Sequence, residues 1–377
     1  MLDLKTQYHH IKDDIDKAIL DCVESVEYIN GKAVKEFAEN LATYLDVKHV
    51  IPCANGTDAL QMAMMALDLK EGDEIIIPAF TYAAPVEAAC LLKLKPVLVD
   101  VDANTFNISV DKIEKAITPK TKAIIAVHLF GQACDMDAIM QIAAKHNLFV
   151  IEDNAQAIGC NVKYSNKKVK TGTLGHINCT SFFPSKNLGC FGDGGALTTN
   201  DSQLAEKAKM IANHGQRIKY THEVIGINSR LDSIQAAILD EKLKHLDSYI
   251  SKRQQAAVMY DEYLKSVEGI KIPVRSSNSE HVFHQYTLKV KSGKRDELRN
   301  YLQGKNIPSM IYYPFPIQQQ QAYKNLVQCS DNLTETENLC NSVLSLPMHT
   351  ELDEGQIAYI SQAVKSFAVE VNSFGNQ

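Results

Sequence analysis

Lys186 has a setting that is unusual for a lysine. It follows the predicted strand 179–183 and precedes Gly192, Gly194 and Gly195. Lysines normally lie on solvated faces, whereas a lysine at the end of a buried strand is partly desolvated, and desolvation lowers its pKa. The glycines allow another group to approach closely. Because a lowered pKa makes the amine a better nucleophile, Lys186 is a candidate for Schiff-base chemistry.

Two further segments carry groups that such chemistry can use. Asn55-Gly56-Thr57 follows a predicted strand and opens a predicted helix, where free N–H groups and the helix dipole favour a phosphate or carboxylate. Asp153 comes just after the apolar run 148–151, and open α/β sheets bind ligands at the carboxyl ends of their strands. Each segment alone also fits plain helix capping, and Asp153 could instead bind a metal or pair with a cationic ring nitrogen.

The three features together favour one cofactor. Pyridoxal phosphate (PLP) requires a helix N-terminus for its phosphate, a carboxylate for its pyridinium nitrogen and a lysine for its aldehyde. Gly56 with Thr57, Asp153 and Lys186 supply these groups in chain order. The sequence therefore predicts a PLP site, and it predicts no metal site.

The composition fits a globular protein that acts on a small molecule. The chain has 377 residues, 45% of them apolar, with 39 Lys and Arg against 45 Asp and Glu. The acidic balance argues against nucleic acid or an anionic membrane as a partner, and we expect neither a signal peptide nor a membrane span. The 9 cysteines are an odd number without a C-x-x-C pair, which favours the reducing cytoplasm over a disulfide framework.

The elements that must position these groups indicate an α/β fold. Apolar runs alternate with helix-length segments, which is typical of a mostly parallel sheet covered by helices on both faces. These predicted strands span 49–52, 74–77, 96–99, 123–127, 148–151 and 179–183. One long charged helix is predicted from 235 to about 265, and strands at 269–273, 286–290 and 307–313 follow it. We expect a large domain over 1–245 and a small α+β domain over 246–377.

Six segments together resemble the DegT/DnrJ/EryC1/StrS family of nucleotide-sugar aminotransferases. They are Asn55-Gly56-Thr57-Asp58-Ala59-Leu60, Pro78-Ala79-Phe80-Thr81-Tyr82, Glu152-Asp153-Asn154-Ala155-Gln156, the run 181–189, Gly192-Asp193-Gly194-Gly195 and Asn228-Ser229-Arg230-Leu231-Asp232. The resemblance covers nearly the whole chain. It implies the fold type I architecture of aspartate aminotransferase, a mostly parallel seven-stranded sheet, PLP as cofactor and a homodimer with shared active sites.

The resemblance also assigns roles to individual residues. Lys186 would carry the cofactor and move a proton between substrate and cofactor carbons, and Asp153 would keep the pyridinium nitrogen protonated. The other cofactor contacts would be Gly56, Thr57 and Ser181 at the phosphate, Gln156 at the ring hydroxyl, Tyr82 on the ring face, and Asn228 at the phosphate in the neighbouring subunit. The candidate substrate contacts are Asn187, His214, Arg230, Tyr312 and Tyr313.

The reaction implied is transfer of the amino group of L-glutamate to a nucleotide-linked keto sugar, for surface glycans such as O-antigen and lipopolysaccharide. The forms of the runs 181–189 and 192–195 favour amination at C3, as in enzymes that make UDP-2-acetamido-3-amino-glucuronate. Three alternatives remain open: amination at C4 of a 4-keto-6-deoxy sugar, a non-catalytic regulatory member of the family that senses a ligand, and another fold type I reaction such as a dehydration or an aldol cleavage. Many relatives have histidine where this chain has Tyr312, so the identity of the sugar also stays open.

Overall fold

The computed structural model describes residues 1–291 and 293–374, in which helices and strands alternate along most of the chain. The strands are β1 (His49–Cys53), β2 (Glu74–Pro78), β3 (Lys95–Val99), β4 (Thr121–Val127), β5 (Phe149–Asp153), β6 (Asn161–Tyr164), β7 (Lys167–Lys170), β8 (Ile177–Ser181), β9 (Gly195–Thr199), β10 (Gln216–Ile218), β11 (Thr221–His222), β12 (Ile270–Lys271), β13 (Tyr286–Val290), β14 (Gln328–Cys329) and β15 (Val343–Leu346). The α-helices are α1 (Leu4–His10), α2 (Lys12–Ser25), α3 (Lys32–Leu45), α4 (Gly56–Ala66), α5 (Ala84–Leu91), α6 (Val110–Ile113), α7 (Met136–His146), α8 (Ser202–Ala212), α9 (Ser233–Leu243), α10 (Leu246–Leu264), α11 (Arg295–Gly304), α12 (Thr334–Ser342) and α13 (Glu354–Phe374).

The central sheet has 8 strands in the order β1-β9-β8-β5-β4-β2-β3-β14. The strands from β8 to β14 in this order run parallel, whereas β9 is antiparallel to both of its neighbours. The predicted α/β class with a mostly parallel sheet is therefore confirmed, and its seven expected strands lie between residues 49 and 199. The additional strand β14 pairs with β3 through Gln328 and Cys329, a stretch too short to give a sequence pattern.

Both faces of this sheet are buried, which explains its continuous apolar runs. In β2, Ile75 and Ile77 belong to the core that contains Leu60 of α4, whereas Ile76 between them belongs to the core that contains Ile139 of α7. Alternate side chains of a strand point to opposite faces, so every position is apolar when helices cover both. Burial of each isoleucine contributes about 1.5–3 kcal/mol, which fixes the register and hence the strand ends.

A second, antiparallel sheet lies further along the chain, in the order β12-β13-β15. Its core includes Tyr260 of α10 and Tyr286 of β13, whose rings stack with centroids 4.8 Å apart. The strand predicted at 286–290 is confirmed as β13. The division at 245 stays a prediction. None of the helices within residues 1–291 and 293–374 is long and apolar enough to cross a membrane.

Two predicted elements are wrong. The single helix predicted over 235–265 is divided into α9 and α10. Leu239 packs in the core of the large sheet with Phe37, whereas Tyr260 packs against the small sheet. One straight helix does not reach both cores, so the axis changes direction between them. The strand over 307–313 is absent apart from a bridge between Met310 and Ser345. Pro308 removes one N–H donor from this segment, and Pro314 and Pro316 directly after it prevent a strand from continuing.

Candidate active site

The predicted chemical groups meet at the carboxyl ends of neighbouring strands. Cys53, at the end of β1, and Ser181, at the end of β8, both lie opposite Gly195 of β9. Asp153, at the end of β5, pairs in register with Cys179 of β8. The turn into α4, Ser181 and Asp153 therefore lie along one edge of the sheet, where an open α/β sheet binds its ligands.

The start of α4 forms a seat for an anion. The Asn55 side chain caps the helix by accepting a hydrogen bond from the Asp58 N–H at 2.8 Å, a contact worth about 1 kcal/mol. The N–H groups of Gly56 and Thr57 belong to the first turn and have no acceptor inside the helix. A Cβ on Gly56 would lie 2.8 Å from the Ser181 Cβ, so only glycine allows the helix to start against β8. Gly56, Thr57 and Ser181 are thus brought together as predicted.

Asp153 is a buried carboxylate without a cationic partner. Its side chain is 7% exposed and accepts a hydrogen bond from the Ala155 N–H at 3.0 Å. Within the described part of the chain, no basic side chain pairs with Asp153 within 4 Å. Burial raises the pKa of Asp153, and the Ala155 N–H and the charge of Lys186 oppose this rise. The site therefore favours a cationic group placed next to this carboxylate.

Lys186 lies in a compact loop after β8. The loop comprises residues 182–190, the Lys186 loop, and it is closed by a hydrogen bond from the Cys190 N–H to the Phe182 carbonyl at 2.8 Å. The Lys186 N–H donates to the Phe183 carbonyl at 2.8 Å, which makes a tight turn at the lysine. The side chain is half-buried, and desolvation lowers the pKa of Lys186 to about 8, against the opposing charge of Asp153. A substantial fraction of the amine is therefore uncharged near neutral pH.

Gln156 presents its amide nitrogen to the site. Its Oε1 accepts a hydrogen bond from the Phe130 N–H at 2.7 Å, and because a backbone N–H can only donate, this contact fixes the orientation of the amide. Its Nε2 then donates to the Tyr313 hydroxyl at 3.2 Å. The Tyr313 ring lies 6.2 Å from that of Tyr82, which is 59% exposed. Tyr313, from a segment far along the chain, thus closes the site beside Gln156.

The other predicted substrate residues have different surroundings. Tyr312 is half-buried beside the Tyr313 ring, with the ring centroids 6.0 Å apart, and burial raises its pKa. Arg230 is half-buried and forms no ion pair within the residues that the structure describes. Asn187 is buried, and its amide donates to the Val282 carbonyl at 3.0 Å. This hydrogen bond connects Asn187 to the segment around Val282, and its predicted contact with the substrate stays a prediction.

Two predicted residues lie near an exposed hairpin. His214 is exposed, and its carbonyl accepts a hydrogen bond from the His222 ring at 2.8 Å at the base of the β10–β11 hairpin. Asn228 is exposed and forms an isolated antiparallel β-bridge with Asn213. The next residue, Ser229, accepts a hydrogen bond from the Ala54 N–H at 3.0 Å, close to the start of α4. The predicted contact of Asn228 with a neighbouring subunit stays a prediction.

Sequence reasoning missed a buried network beneath Asp153. His128 Nδ1 accepts a hydrogen bond from the Cys134 N–H at 3.1 Å, so the ring donates through Nε2 to Glu152 at 2.7 Å. The Glu152 carboxylate also accepts three backbone N–H bonds, from Gly172, Leu174 and Gly175. The backbone N–H of His128 donates to the Asp153 carbonyl at 3.1 Å, which anchors the end of β5. The available signal was a glutamate directly before Asp153 inside an apolar strand.

The residues present fit PLP. The unpaired carboxylate of Asp153 suits a pyridinium nitrogen, the N–H groups of Gly56 and Thr57 with the Ser181 hydroxyl suit a phosphate, and Lys186 supplies the amine. The Gln156 Nε2 suits an oxygen on the ring. Within the described residues, no group of three or more His, Cys, Asp and Glu side chains could hold a metal ion.

Known protein sequences match this chain over nearly its whole length. The sequence model of the DegT/DnrJ/EryC1/StrS aminotransferase family matches residues 9–365. The chain is 44% identical to a pleiotropic regulatory protein of Geobacillus stearothermophilus, over 97% of this chain and 98% of the relative. It is 44% identical to the UDP-2-acetamido-2-deoxy-3-oxo-D-glucuronate aminotransferase of Pseudomonas aeruginosa, over 96% and 98%. It is 41% identical to the UDP-N-acetyl-3-dehydro-alpha-D-glucosamine 3-aminotransferase of Acidithiobacillus ferrooxidans, over 97% and 96%.

Solved structures agree in fold. A DegT DnrJ EryC1 StrS aminotransferase from Brucella abortus superposes with a TM-score of 0.93 at 40% identity, over 97% of this chain and 98% of that chain. NtdA from Bacillus subtilis, solved with bound cofactor PMP, superposes with a TM-score of 0.83 at 32% identity, over 95% and 82%. PMP is the aminated form of PLP, so a related fold holds the cofactor that these side chains fit.

Proposed function

Since the chain belongs to the DegT/DnrJ/EryC1/StrS aminotransferase family, we propose that it uses PLP to transfer the amino group of L-glutamate to the C3 keto group of a nucleotide-linked sugar. The observation that carries the chemistry is the combination of Lys186, whose pKa is lowered to about 8, with a buried Asp153 that forms no ion pair with any described residue. The C3 position is supported by the names of the Pseudomonas aeruginosa and Acidithiobacillus ferrooxidans relatives.

Each residue then has a defined task. When bound, PLP supplies an aromatic ring that accepts the electron pair of a substrate carbon. The Lys186 amine would take a proton from that substrate carbon and deliver it to the cofactor carbon that receives the amino group, which a pKa near operating pH favours. Asp153 would hold a positive charge on the ring nitrogen, and Gln156, whose Oε1 is occupied by the Phe130 N–H, would donate from Nε2 to the ring oxygen. Gly56, Thr57 and Ser181 hold the phosphate, which fixes the ring relative to Lys186.

The proposed working unit is a homodimer. Asn228 is exposed in the single chain. The nearby β10–β11 hairpin and the residues after it also carry apolar side chains that are exposed to water in the single chain. These exposed side chains are Ile218 at 67%, Tyr220 at 81% and Ile225 at 87%. A second copy that covers this surface would bury it and bring Asn228 to the neighbouring phosphate seat. A monomer would then be inactive.

The proposed setting is the cytoplasm, with the amino sugar used for a surface glycan such as lipopolysaccharide. The 9 cysteines are all free in the structure, and most are buried. Free buried thiols fit a reducing compartment. Nucleotide-linked sugars are also the substrates in the names of both aminotransferase relatives.

A second candidate function is ligand-dependent regulation without catalysis. It is favoured by the name of the Geobacillus stearothermophilus relative, which is as similar at 44% identity as the Pseudomonas aeruginosa enzyme. Regulation alone does not require a lysine with a lowered pKa beside a buried acid, so catalysis is the better proposal.

The test is a two-step assay with purified protein. After PLP is bound, L-glutamate should bleach its visible absorbance, and a panel of 3-keto and 4-keto UDP- and dTDP-sugars should restore it only with 3-keto sugars. Lys186→Ala should lower turnover at least about 10³-fold, because the proton-transfer group is lost. Lys244→Ala is the control, since this lysine is exposed and its ion pair in the structure is with Glu241. Absence of bleaching would favour the regulatory candidate, and restoration by 4-keto sugars alone would contradict amination at C3.

A further inference from the structure

Lys242 is a buried lysine that the proposed chemistry does not use. It belongs to α9 and is 3% exposed. Its Nζ donates to the Gly189 carbonyl at 2.5 Å and lies 5.5 Å from the centre of the Phe191 ring. Within the described part of the chain, no carboxylate forms an ion pair with it. Its partners are therefore a carbonyl of the Lys186 loop and an aromatic ring just after that loop.

The carbonyl that Lys242 binds belongs to the point where the Lys186 loop folds back on itself. A Cβ on Gly189 would lie 2.6 Å from the Pro184 carbonyl oxygen and 2.9 Å from the Phe183 carbonyl oxygen, so the two sides of the loop are in direct contact there. The Lys186 N–H is bonded to the same Phe183 carbonyl at 2.8 Å. A shift of Gly189 is therefore transmitted to the backbone of Lys186 through backbone contacts alone.

A second contact from the same helix acts on the next part of the chain. Gln235, near the start of α9, accepts a hydrogen bond from the Phe191 N–H at 2.8 Å. The helix itself is held firmly, because Leu239 lies in the core with Phe37 and is fully buried. One side chain of this packed helix, Lys242, thus binds the Lys186 loop at Gly189, and another, Gln235, binds Phe191 directly after the loop.

Burial of the charged Lys242 side chain lowers the stability of the folded chain, so stability alone does not explain a lysine at this position. Desolvation lowers the pKa of Lys242 to about 8, which reflects the penalty for an ammonium group that no carboxylate balances. An apolar side chain of similar length would fill the space without this penalty. A hydrogen bond aimed at one loop carbonyl is what the lysine provides and an apolar residue does not.

We propose that Lys242 is a positioning residue that holds the Lys186 loop in the geometry required for proton transfer by Lys186. The proposal rests on the proposed function, because it assumes that Lys186 moves the proton. A displacement of about 1 Å at reacting groups lowers a rate by about 10²-fold, so a shift of a few tenths of an ångström has a measurable effect. The phosphate seat at Gly56 and Ser181 lies outside the loop, so cofactor and substrate binding stay nearly unchanged.

The experiment compares Lys242→Met with Lys244→Met, which makes the same substitution at an exposed position of the same helix end. The PLP-loaded proteins are mixed with L-glutamate, and the bleaching rate constant, the glutamate KM and the Tm are measured. We expect Lys242→Met to lower the rate constant about 10-fold while KM changes less than about 2-fold and Tm changes little. Lys244→Met should match wild type. Lys242→Arg, which retains a donor to the carbonyl, should recover part of the loss.

Gln235→Leu provides a second variant without a buried charge. It removes the contact with the Phe191 N–H, and we expect it to lower the same rate constant about 3-fold. Rate constants equal to wild type in both Lys242→Met and Gln235→Leu would overturn the positioning role. A loss in Lys242→Met that is fully explained by loss of PLP or a lower Tm would also overturn it. A wild-type protein that glutamate does not bleach would instead overturn the proposed function.

Discussion

Two buried acids at the same edge of the sheet have different surroundings. Asp153 is the last residue of β5, and Asp100 directly follows β3, a parallel strand of the same sheet. Asp100 is 1% exposed, and its carboxylate accepts hydrogen bonds from the N–H groups of Glu335 at 2.9 Å and Thr336 at 2.8 Å. It also pairs with Lys112 at 3.1 Å. Asp153 has one backbone donor and no such cation within the described residues.

The pKa values of these two acids move in opposite directions. Burial opposes the charge of Asp100, but hydrogen bonds from Thr336 and Glu335 and the contact with Lys112 outweigh it, so its pKa is lowered. Burial raises the pKa of Asp153, because its few donors do not compensate the desolvation. Asp100 therefore caps α12 and stabilises the fold, whereas Asp153 is available for a cationic ring nitrogen. Position at a strand end alone does not separate these two roles.

The largest effect is expected from Asp153→Asn. The substitution keeps the shape but removes the charge that stabilises a pyridinium nitrogen, so kcat for the glutamate step should fall by about 10²–10³-fold. The Tm of the cofactor-free protein should stay the same or rise, because an unpaired buried charge is lost. Bleaching kinetics and thermal unfolding check the two parts. Turnover close to wild type would mean that the ring nitrogen needs no negative partner.

Asp100→Asn should show the converse behaviour. Its amide no longer provides a charged acceptor for the Glu335 and Thr336 N–H groups, so the free energy of unfolding should fall by about 2 kcal/mol while kcat per folded subunit is unchanged. Urea unfolding measures the change, and Asp111→Asn on the exposed side of α6 is the control. A tenfold loss of kcat in Asp100→Asn would contradict the division of roles.

The same variant allows a pH test. Because the pKa of Asp100 is lowered on folding, its charge stabilises the protein above the unfolded value of about 3.9, and this stabilisation is lost as the pH falls through the lower folded value. The difference in stability between wild type and Asp100→Asn should therefore shrink below about pH 4. A difference that stays constant down to pH 2 would contradict the ionic origin of the effect.

The smallest effect is a shift in a pH profile. Since desolvation lowers the pKa of Lys186 to about 8, the rate at which PLP recombines with the cofactor-free protein should rise with pH with a midpoint near pH 8, rather than near 10.4 as for a solvated lysine. The charge of Asp153 raises the pKa of Lys186, so Asp153→Asn should move the midpoint to lower pH. Stopped-flow absorbance measures this profile, and a midpoint near pH 10 would contradict the desolvation of Lys186.

Much of the site could be predicted because its residues follow strands directly. Gly56, Asp153 and Ser181 lie at or just after strand ends that continuous apolar runs reveal, and parallel strands bring those ends to one edge. Tyr313 was predicted only as a substrate contact, and its hydrogen bond to Gln156 depends on a segment more than 150 residues away in the chain. Local patterns contain no information on such a contact, because it depends on how the small sheet packs.

The α/β class, the strand ends and the reactive residue types at those ends can be read from the amino-acid sequence, because burial of both sheet faces produces continuous apolar runs that the reactive residues interrupt. The three-dimensional fold determines which of the two acids is fully hydrogen-bonded, since the donors to Asp100 come from Glu335 and Thr336, far along the chain. It also decided that Lys242 binds the Lys186 loop and that Gln156 presents its nitrogen. Hydrogen bonds and desolvation depend on neighbours in space, which the order of residues does not specify.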